Sequence, residues 1–385
     1  MRLAIPIAVG ALALTACGSD DGGGGGNGAD GPTYKIAFQG PLSGPNAALG
    51  ENMGNAVELA IDEANESGDY EFTLEYMRSD DRGEEGEASS AAQLVIDDED
   101  VIAVVGPAFS GAAAVAAPRY GQAGIPAVTS SATRADLTQQ GWPTFLRAVP
   151  NDSAQGAGMA AYLAAQAGVE KVVVIDDTQP YGVGLADVAQ EGLEDAGLEV
   201  VRQSVPNETP DYTSAARNVV TEDADALIYA GYYSDAGPFA VKLEEQGFEG
   251  IQLAGDGVMD GEFLDLAGSS AANWFFTCPC TSAEDDEATQ GFAERFEDKY
   301  SQAPGVYSAE SYDVTSMIIA AIAALGDDAE SGALYDHLVA NEYEGLTKTF
   351  AFDEQGEFTN QTIFLYEAEG EGFDYLGSVE DLTTG

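Results

Sequence analysis

From Tyr34 onward, short runs of apolar and β-branched residues alternate with longer stretches in which apolar positions recur every three to four residues. The first pattern predicts strands and the second helices. Read in order, it gives strand 34–39, helix 50–66, strand 72–78, helix 87–97, strand 101–105, a small-residue helix opening at Ser110, strand 125–128, strand 145–149 and helix 153–168. A second series follows: strands 171–176, 198–205, 226–231, 251–256 and 274–278, separated by helices 182–196, 212–221, 234–247 and 261–267. Strands that alternate with helical periods, and that are apolar at nearly every position, belong to βαβ units covered on both faces. The prediction is therefore an α/β protein with two doubly wound, Rossmann-like parallel sheets.

After Cys280 the alternation stops. Helices 286–300, 307–325 and 331–342 run without a strand between them, and strands 347–353, 362–367 and 375–379 close the chain. Helices unaccompanied by strands imply that the chain returns to a sheet begun earlier. Crossings are expected near Pro150, Cys280 and residues 353–360, which divide the chain into one lobe of residues 33–150 with 281–356 and another of 151–280 with 357–385.

Open α/β sheets bind ligands at the carboxyl ends of their strands. In the first series those ends carry Phe109 and Ser110, and then the hydroxyl cluster Thr129-Ser130-Ser131-Ala132-Thr133, with Arg119 and Arg134 as the nearby cations. A helix start offers unpaired N–H groups and partial positive charge, so a ligand carboxylate can be held there without a full cation. Ser110 reads equally as an ordinary N-cap, and the other hydroxyls as turn residues. In the second series the ends carry Asp177, Tyr181 and Gly182, then Gly231 and Tyr232, then Gly255-Asp256-Gly257. Taken singly, Tyr181 and Tyr232 are amphipathic surface tyrosines and Asp256 is a helix N-cap. Their recurrence along one edge is what makes a cleft site the stronger reading.

Composition narrows the partners. The 385 residues hold 14 Lys and Arg against 67 Asp and Glu, a formal charge of −53. Such a polyanion repels nucleic acid and anionic lipid. The acid is spread over all polar helix faces, a solvating surface suited to a salty medium. It lacks the ligand spacing of a calcium loop. A single histidine, His337, leaves little for a metal centre, and no cofactor motif stands out; the GxGxxG of residues 26–31 neither follows a strand nor opens an apolar helix. There is no GxSxG, HExxH or P-loop, so no catalytic residue is assigned.

The chain opens with Arg2 and an apolar run that closes on Leu14-Thr15-Ala16-Cys17, followed by the Gly-rich segment 18–32. The run is a signal peptide (1–16), too short to span a bilayer, and 17–32 is a flexible tether. Leu14-Thr15-Ala16-Cys17 resembles a bacterial lipobox, which implies lipidation of Cys17 and a protein anchored to the outer face of the cell membrane. Cys278 and Cys280, one residue apart, form either a local disulfide or two thiols pinned by Pro279.

The segments GPLSGPNAALG, GPAFSGAAA, PAVTSSATRADLT, FLRAVPNDSAQG, DDTQPYGVGLA, YAGYYSDAG and GDGV, in this order, resemble the branched-chain amino acid-binding family of ABC importers, which are type I periplasmic binding proteins. The resemblance runs from Tyr34 to Val379. It implies two lobes joined by a three-strand hinge, a ligand in the cleft, a monomer, and delivery to the transmembrane subunits of an ABC permease. It further implies that Ser110 and Ser131 grip the ligand carboxylate, that Thr133 serves carboxylate and ammonium, that Asp256 pairs with the ammonium, and that Tyr181 and Tyr232 wall the pocket, with Phe109 beside Ser110 counted among the pocket residues. Leu49 stands where members often place an aromatic, and Asp256 is one methylene shorter than their glutamate. Relatives of the family take amides, urea and aromatic acids, and a ligand sensor of the same fold is an alternative to an importer subunit.

The spread of acid yields a first prediction. Self-repulsion among the excess negative charges is screened within about 3 Å at 1 M salt. The melting temperature should therefore rise between dilute buffer and molar NaCl, as read by calorimetry; a flat or falling value overturns the solvating-surface reading.

Overall fold

A computed structural model describes residues 31–281, 287–370 and 372–384; the predicted signal peptide, Cys17, most of the tether and the first residue of predicted helix 286–300 lie outside them. The first unit runs β1 (Thr33–Gly40), α1 (Ala47–Ser67), β2 (Thr73–Asp80), α2 (Glu85–Ile96), β3 (Val101–Val105), α3 (Ser110–Ala123), β4 (Ala127–Thr129) and β5 (Phe145–Arg147). The chain then enters the second unit: α4 (Asp152–Ala165), β6 (Lys171–Asp176), α5 (Pro180–Asp195), β7 (Glu199–Ser204), α6 (Thr213–Thr221), β8 (Ala226–Ala230), α7 (Tyr233–Gln246), β9 (Ile251–Ala254), α8 (Gly261–Ala267) and β10 (Trp274–Cys278). It returns through α9 (Glu287–Tyr300), α10 (Ser308–Leu325), α11 (Ser331–Ala340), β11 (Tyr343–Glu344) and β12 (Thr349–Phe350). It ends in the second sheet with β13 (Phe364–Glu369), β14 (Gly372–Ser378) and α12 (Val379–Thr383).

The first sheet has the parallel order β2-β1-β3-β4-β5, and the second the order β14-β13-β10-β9-β8-β6-β7. In the second sheet β6 to β10 pair in parallel, whereas β13 and β14 join as an antiparallel hairpin. Two-residue periodicity explains the layering of the first sheet. Ile36 and Phe38 of β1 pack with Val57 and Ile61 of α1 and Ile318 of α10, while Ala37 points the other way, toward Ala113 and Ala116 of α3. The helices that follow Cys280 thus cover the first sheet, as their lack of intervening strands requires.

Three local expectations need correction. Predicted strand 347–353 shrinks to Thr349–Phe350, which pairs with Tyr343–Glu344 in a two-stranded ribbon. The carboxyl end of the preceding turn is instead tied down by Asp313, which accepts the Leu346 and Thr347 N–H groups at 2.8 and 2.7 Å. Helix 331–342 ends at Ala340. Ser110 is not an N-cap: Phe109 occupies that position with extended backbone and Ser110 is the first helical residue.

The crossings are held by polar contacts among buried groups. Arg147, fully buried at the end of β5, donates to both carboxylate oxygens of Glu357, through Nε at 2.9 Å and through Nη2, and caps the Arg134 carbonyl at 2.6 Å. Lys348 bridges the Pro279 carbonyl at 3.3 Å and the buried Glu310 carboxylate at 3.1 Å.

Burial also pushes several carboxyl groups upward from 3.8: Asp81 and Asp260 to about 6, Asp152 and Asp177 to about 7. The native chain therefore holds protons that the unfolded chain has released between about pH 4 and 7, so stability falls as pH rises through that window and levels off above it. At fixed high salt the melting temperature should be higher near pH 5 than near pH 8, and Asp177→Asn should flatten the slope; a melting temperature that climbs from pH 5 to 8 contradicts the assignment.

Candidate functional site

The carboxyl ends of the two sheets face each other across a narrow cavity lined from both units by Leu49, Met53, Ala108, Phe109, Ser110, Ser131, Tyr181, Tyr232, Asp256, Gly257 and Tyr307. Seven of the eight residues expected at a ligand site meet here. Thr133 is the exception: it is fully buried and does not line the cavity. Its hydroxyl neighbours the Asp152 carboxyl, and its carbonyl accepts the Asp152 N–H at 2.8 Å.

On the first unit the turn after β3 must fold back sharply. Gly106 has φ +118, and a Cβ there would stand 2.5 Å from the Gln39 carbonyl, so no other residue fits; the Gly106–Pro107 bond is cis. Hydroxyls from the end of β4 pin this turn. Thr129 donates to the Pro107 carbonyl and Ser131 to the Ala108 carbonyl, both at 2.8 Å. Ser110 accepts the Arg134 N–H at 3.2 Å, leaving its own proton free to donate into the cavity. The start of α3 adds backbone N–H groups that a helix leaves unpaired. Ser131 differs, because its proton is spent on Ala108 and its oxygen presents lone pairs. Neither nearby cation is free: Arg134 pairs with Asp136 at 2.5 Å and Arg119 with the Gln93 side chain.

On the second unit Asp256 opens a short 3-10 turn just past β9 and is only 3% exposed. Oδ1 accepts from Gln155 Nε2 and from the Tyr181 hydroxyl, each at 2.8 Å, and Oδ2 accepts from the Tyr307 hydroxyl at 2.7 Å. The flanking glycines make room for Tyr181. A Cβ at Gly255 would lie 2.6 Å from its hydroxyl, and one at Gly257 would lie 2.9 Å from its ring. Burial raises the Asp256 carboxyl above its usual range, and the three donors partly offset that rise. Both tyrosine hydroxyls are pushed well above 10 by burial and by the Asp256 charge, so they remain neutral donors. Among the described residues no Lys or Arg forms an ion pair with Asp256.

Contacts across the cleft come from both walls. Phe109 and Tyr232 stack with ring centres 4.3 Å apart and planes 16° from parallel. Tyr233 accepts the Ala48 N–H at 3.2 Å. Tyr307, which belongs to the return segment that covers the first sheet, reaches Asp256 of the second unit. Sequence reading did not single out Tyr307, Met53 or Gln155. The one signal for Tyr307 is an aromatic at a helix start after Pro304-Gly305, but no strand precedes it to mark a ligand edge. Among the described residues no group of three or more His, Cys, Asp or Glu side chains is arranged to hold a metal ion.

The model of the periplasmic binding protein family matches residues 33–372. The leucine-, isoleucine-, valine-, threonine-, and alanine-binding protein of Pseudomonas aeruginosa is 26% identical to this chain over 337 residues, which cover 87% of this chain and 90% of the relative. The Leu/Ile/Val-binding protein BraC3 of Rhizobium johnstonii is 29% identical, covering 87% and 91%. Among solved structures, the branched-chain amino acid transporter substrate binding protein LivJ of Streptococcus pneumoniae, in complex with isoleucine, superposes with a TM-score of 0.81 at 27% identity, covering 90% of this chain and 99% of that one. With two parallel-sheet units closing on a cavity at their strand ends, and with likeness running the length of both, the chain belongs to the periplasmic binding protein family, and these relatives are branched-chain amino acid-binding members of it.

Proposed function

We propose that the cavity receives an aliphatic amino acid, and that the protein is an exported lipoprotein delivering it to an ABC permease. The observation that carries the ligand class is Asp256. A carboxylate this deeply buried, with neutral donors alone as its partners, is costly unless the ligand brings the positive charge. A carboxylate has about four acceptor positions; Gln155, Tyr181 and Tyr307 take three, and an ammonium would take the fourth. The Ser110 hydroxyl and the start of α3 would hold the ligand carboxylate, and Ser131, whose proton is already committed, would accept from the ammonium. Leu49, Met53 and Phe109 would pack on the side chain. The ligands of these relatives, which include leucine, isoleucine and valine, support the same class. Thr133 would act through Asp152, since it has no face on the cavity.

Asp256→Asn keeps the shape and removes the charge. Calorimetry with Leu, Ile, Val and their amides should show amino acid binding weakened by about 2–5 kcal/mol, the range for removing one partner of a buried charge pair. Ser110→Ala should cost less, about 1.5–3 kcal/mol for one neutral donor to a charged group. Should Asp256→Asn bind as tightly as the parent, the site is that of a carboxylate or amide receptor.

The lipobox-like end of the signal segment supports membrane anchoring through Cys17. Mass spectrometry of the mature N-terminus should find a diacylglyceryl-modified Cys17, and Cys17→Ser should leave unprocessed or released protein. An unmodified mature chain that begins elsewhere rules the anchor out.

A further inference from the structure

The Cys278-Pro279-Cys280 segment leaves β10 just where the chain quits the second unit for the first, and its two cysteines are joined by a disulfide with Cα atoms 5.1 Å apart. Both sulfurs are buried, so this is no surface staple. The closed loop fixes the backbone on either side. Tyr366 of β13 donates to the Cys280 carbonyl at 3.0 Å, Lys348 to the Pro279 carbonyl, and Thr281 N–H to Glu310 at 2.8 Å. One residue upstream, the Thr277 carbonyl accepts from Gln155 Nε2 at 2.8 Å, and that same nitrogen donates to Asp256 Oδ1 at 2.8 Å. Gln155 itself lies in the first turn of α4, directly after the other crossing at residues 148–151. Its Oε1 is buried without a hydrogen-bond partner, so the amide orientation is set by what Nε2 donates to. One side chain thus ties two crossing segments to the single carboxylate of the cavity.

We propose that Gln155, held by the disulfide-closed loop through Thr277, is a positioning residue that aims Asp256 at the ligand, so that the disulfide governs ligand affinity from the hinge. The proposal rests on Asp256 being the ammonium partner. Without the Thr277 carbonyl as an anchor, Gln155 would follow Asp256 instead of holding it; without Gln155, Oδ1 would keep a single donor, Tyr181, and the carboxylate would be free to rotate. Because the anchor lies on a crossing segment, any change in the crossing reaches Asp256 by two hydrogen bonds.

The test measures leucine affinity by calorimetry in the full mature chain. Gln155→Met keeps the volume and loses the donor; it should weaken leucine about tenfold or more, the scale for a lost hydrogen bond to a charged group. In an Asp256→Asn background the same change should cost less than about twofold, because there is no charge left to aim. Cys278→Ser with Cys280→Ser should weaken leucine in the parent and add nothing to Gln155→Met. Gln155→Glu retains the length and tests the donor from the other side: near neutral pH it should bind worse than Gln155→Met. Near-ultraviolet dichroism confirms that each variant is folded, and should the serine pair not fold, thiol-reduced parent, its two free thiols counted, takes its place. If Asp256→Asn does not weaken leucine, the ammonium reading fails and the relay with it. If it does, yet Gln155→Met binds as the parent or is additive with Asp256→Asn, the relay alone is overturned.

Discussion

A carboxylate sealed between two lobes is the constraint from which the rest of the site follows. Asp256 needs donors, and its own strand cannot supply them, since β9 ends two residues earlier. They come from three helix starts in distant parts of the chain: Gln155 in α4, Tyr181 in α5 and Tyr307 at the head of α10. Only a topology that turns the carboxyl ends of two parallel sheets toward one another can bring those starts within 3 Å of one side chain. The glycines on either side of Asp256 are a further consequence, because the space a Cβ would take is filled by Tyr181.

The scarcity of cations shapes where they are used. Lys and Arg number 14 in all, and the buried Arg147 and the half-buried Lys348 and Arg202 are committed to holding crossings and strand ends together: Arg147 to Glu357, Lys348 to Glu310, and Arg202 to the buried Asp176 at 2.8 Å. Among the described residues no Lys or Arg lines the cavity, whose walls offer neutral dipoles on one side and a single carboxylate on the other. Breaking such a buried pair leaves an uncompensated charge and costs several kcal/mol, so these cations are not available for exchange into the site.

Much of this was legible in the order of strands and helices. The sequence pattern of residues 171–176, 261–267 and 274–278 matches their observed ends because each is bounded by polar, glycine or proline positions that stop the element on both sides. Boundaries slipped where a residue serves two purposes. Pro180 reads as a turn but occupies the first turn of α5, where its missing N–H costs nothing, so Tyr181 is helical. The alternation in KTFAFD promised a longer strand than the two residues that find a partner. Within the site, residue types were legible but hydrogen directions were not. Ser131 looks like a donor in sequence, and becomes an acceptor only because the Ala108 carbonyl lies within its reach. Tyr307 carries no mark of the ligand edge because no strand leads into its helix, and Gln155 carries none because the strand before it leads into a crossing between the units and not into a loop of that edge.

The arrangement around Asp256 also explains how a neutral mimic would be refused. An amide or hydroxyl placed at the fourth acceptor position would complete the hydrogen-bond count as well as an ammonium does. It would leave the negative charge in place, next to Asp152, whose own carboxyl is pushed up to about 7 by burial and by Asp256. In a low-dielectric cleft the larger energy is the charge itself and not the missing bond. A cationic donor removes both deficits at once, and by lowering the negative potential it also eases ionisation of Asp152. On the proposed reading, selectivity for an α-ammonium would be set by charge balance across the cleft, with the tyrosines and Gln155 fixing where that balance must be struck.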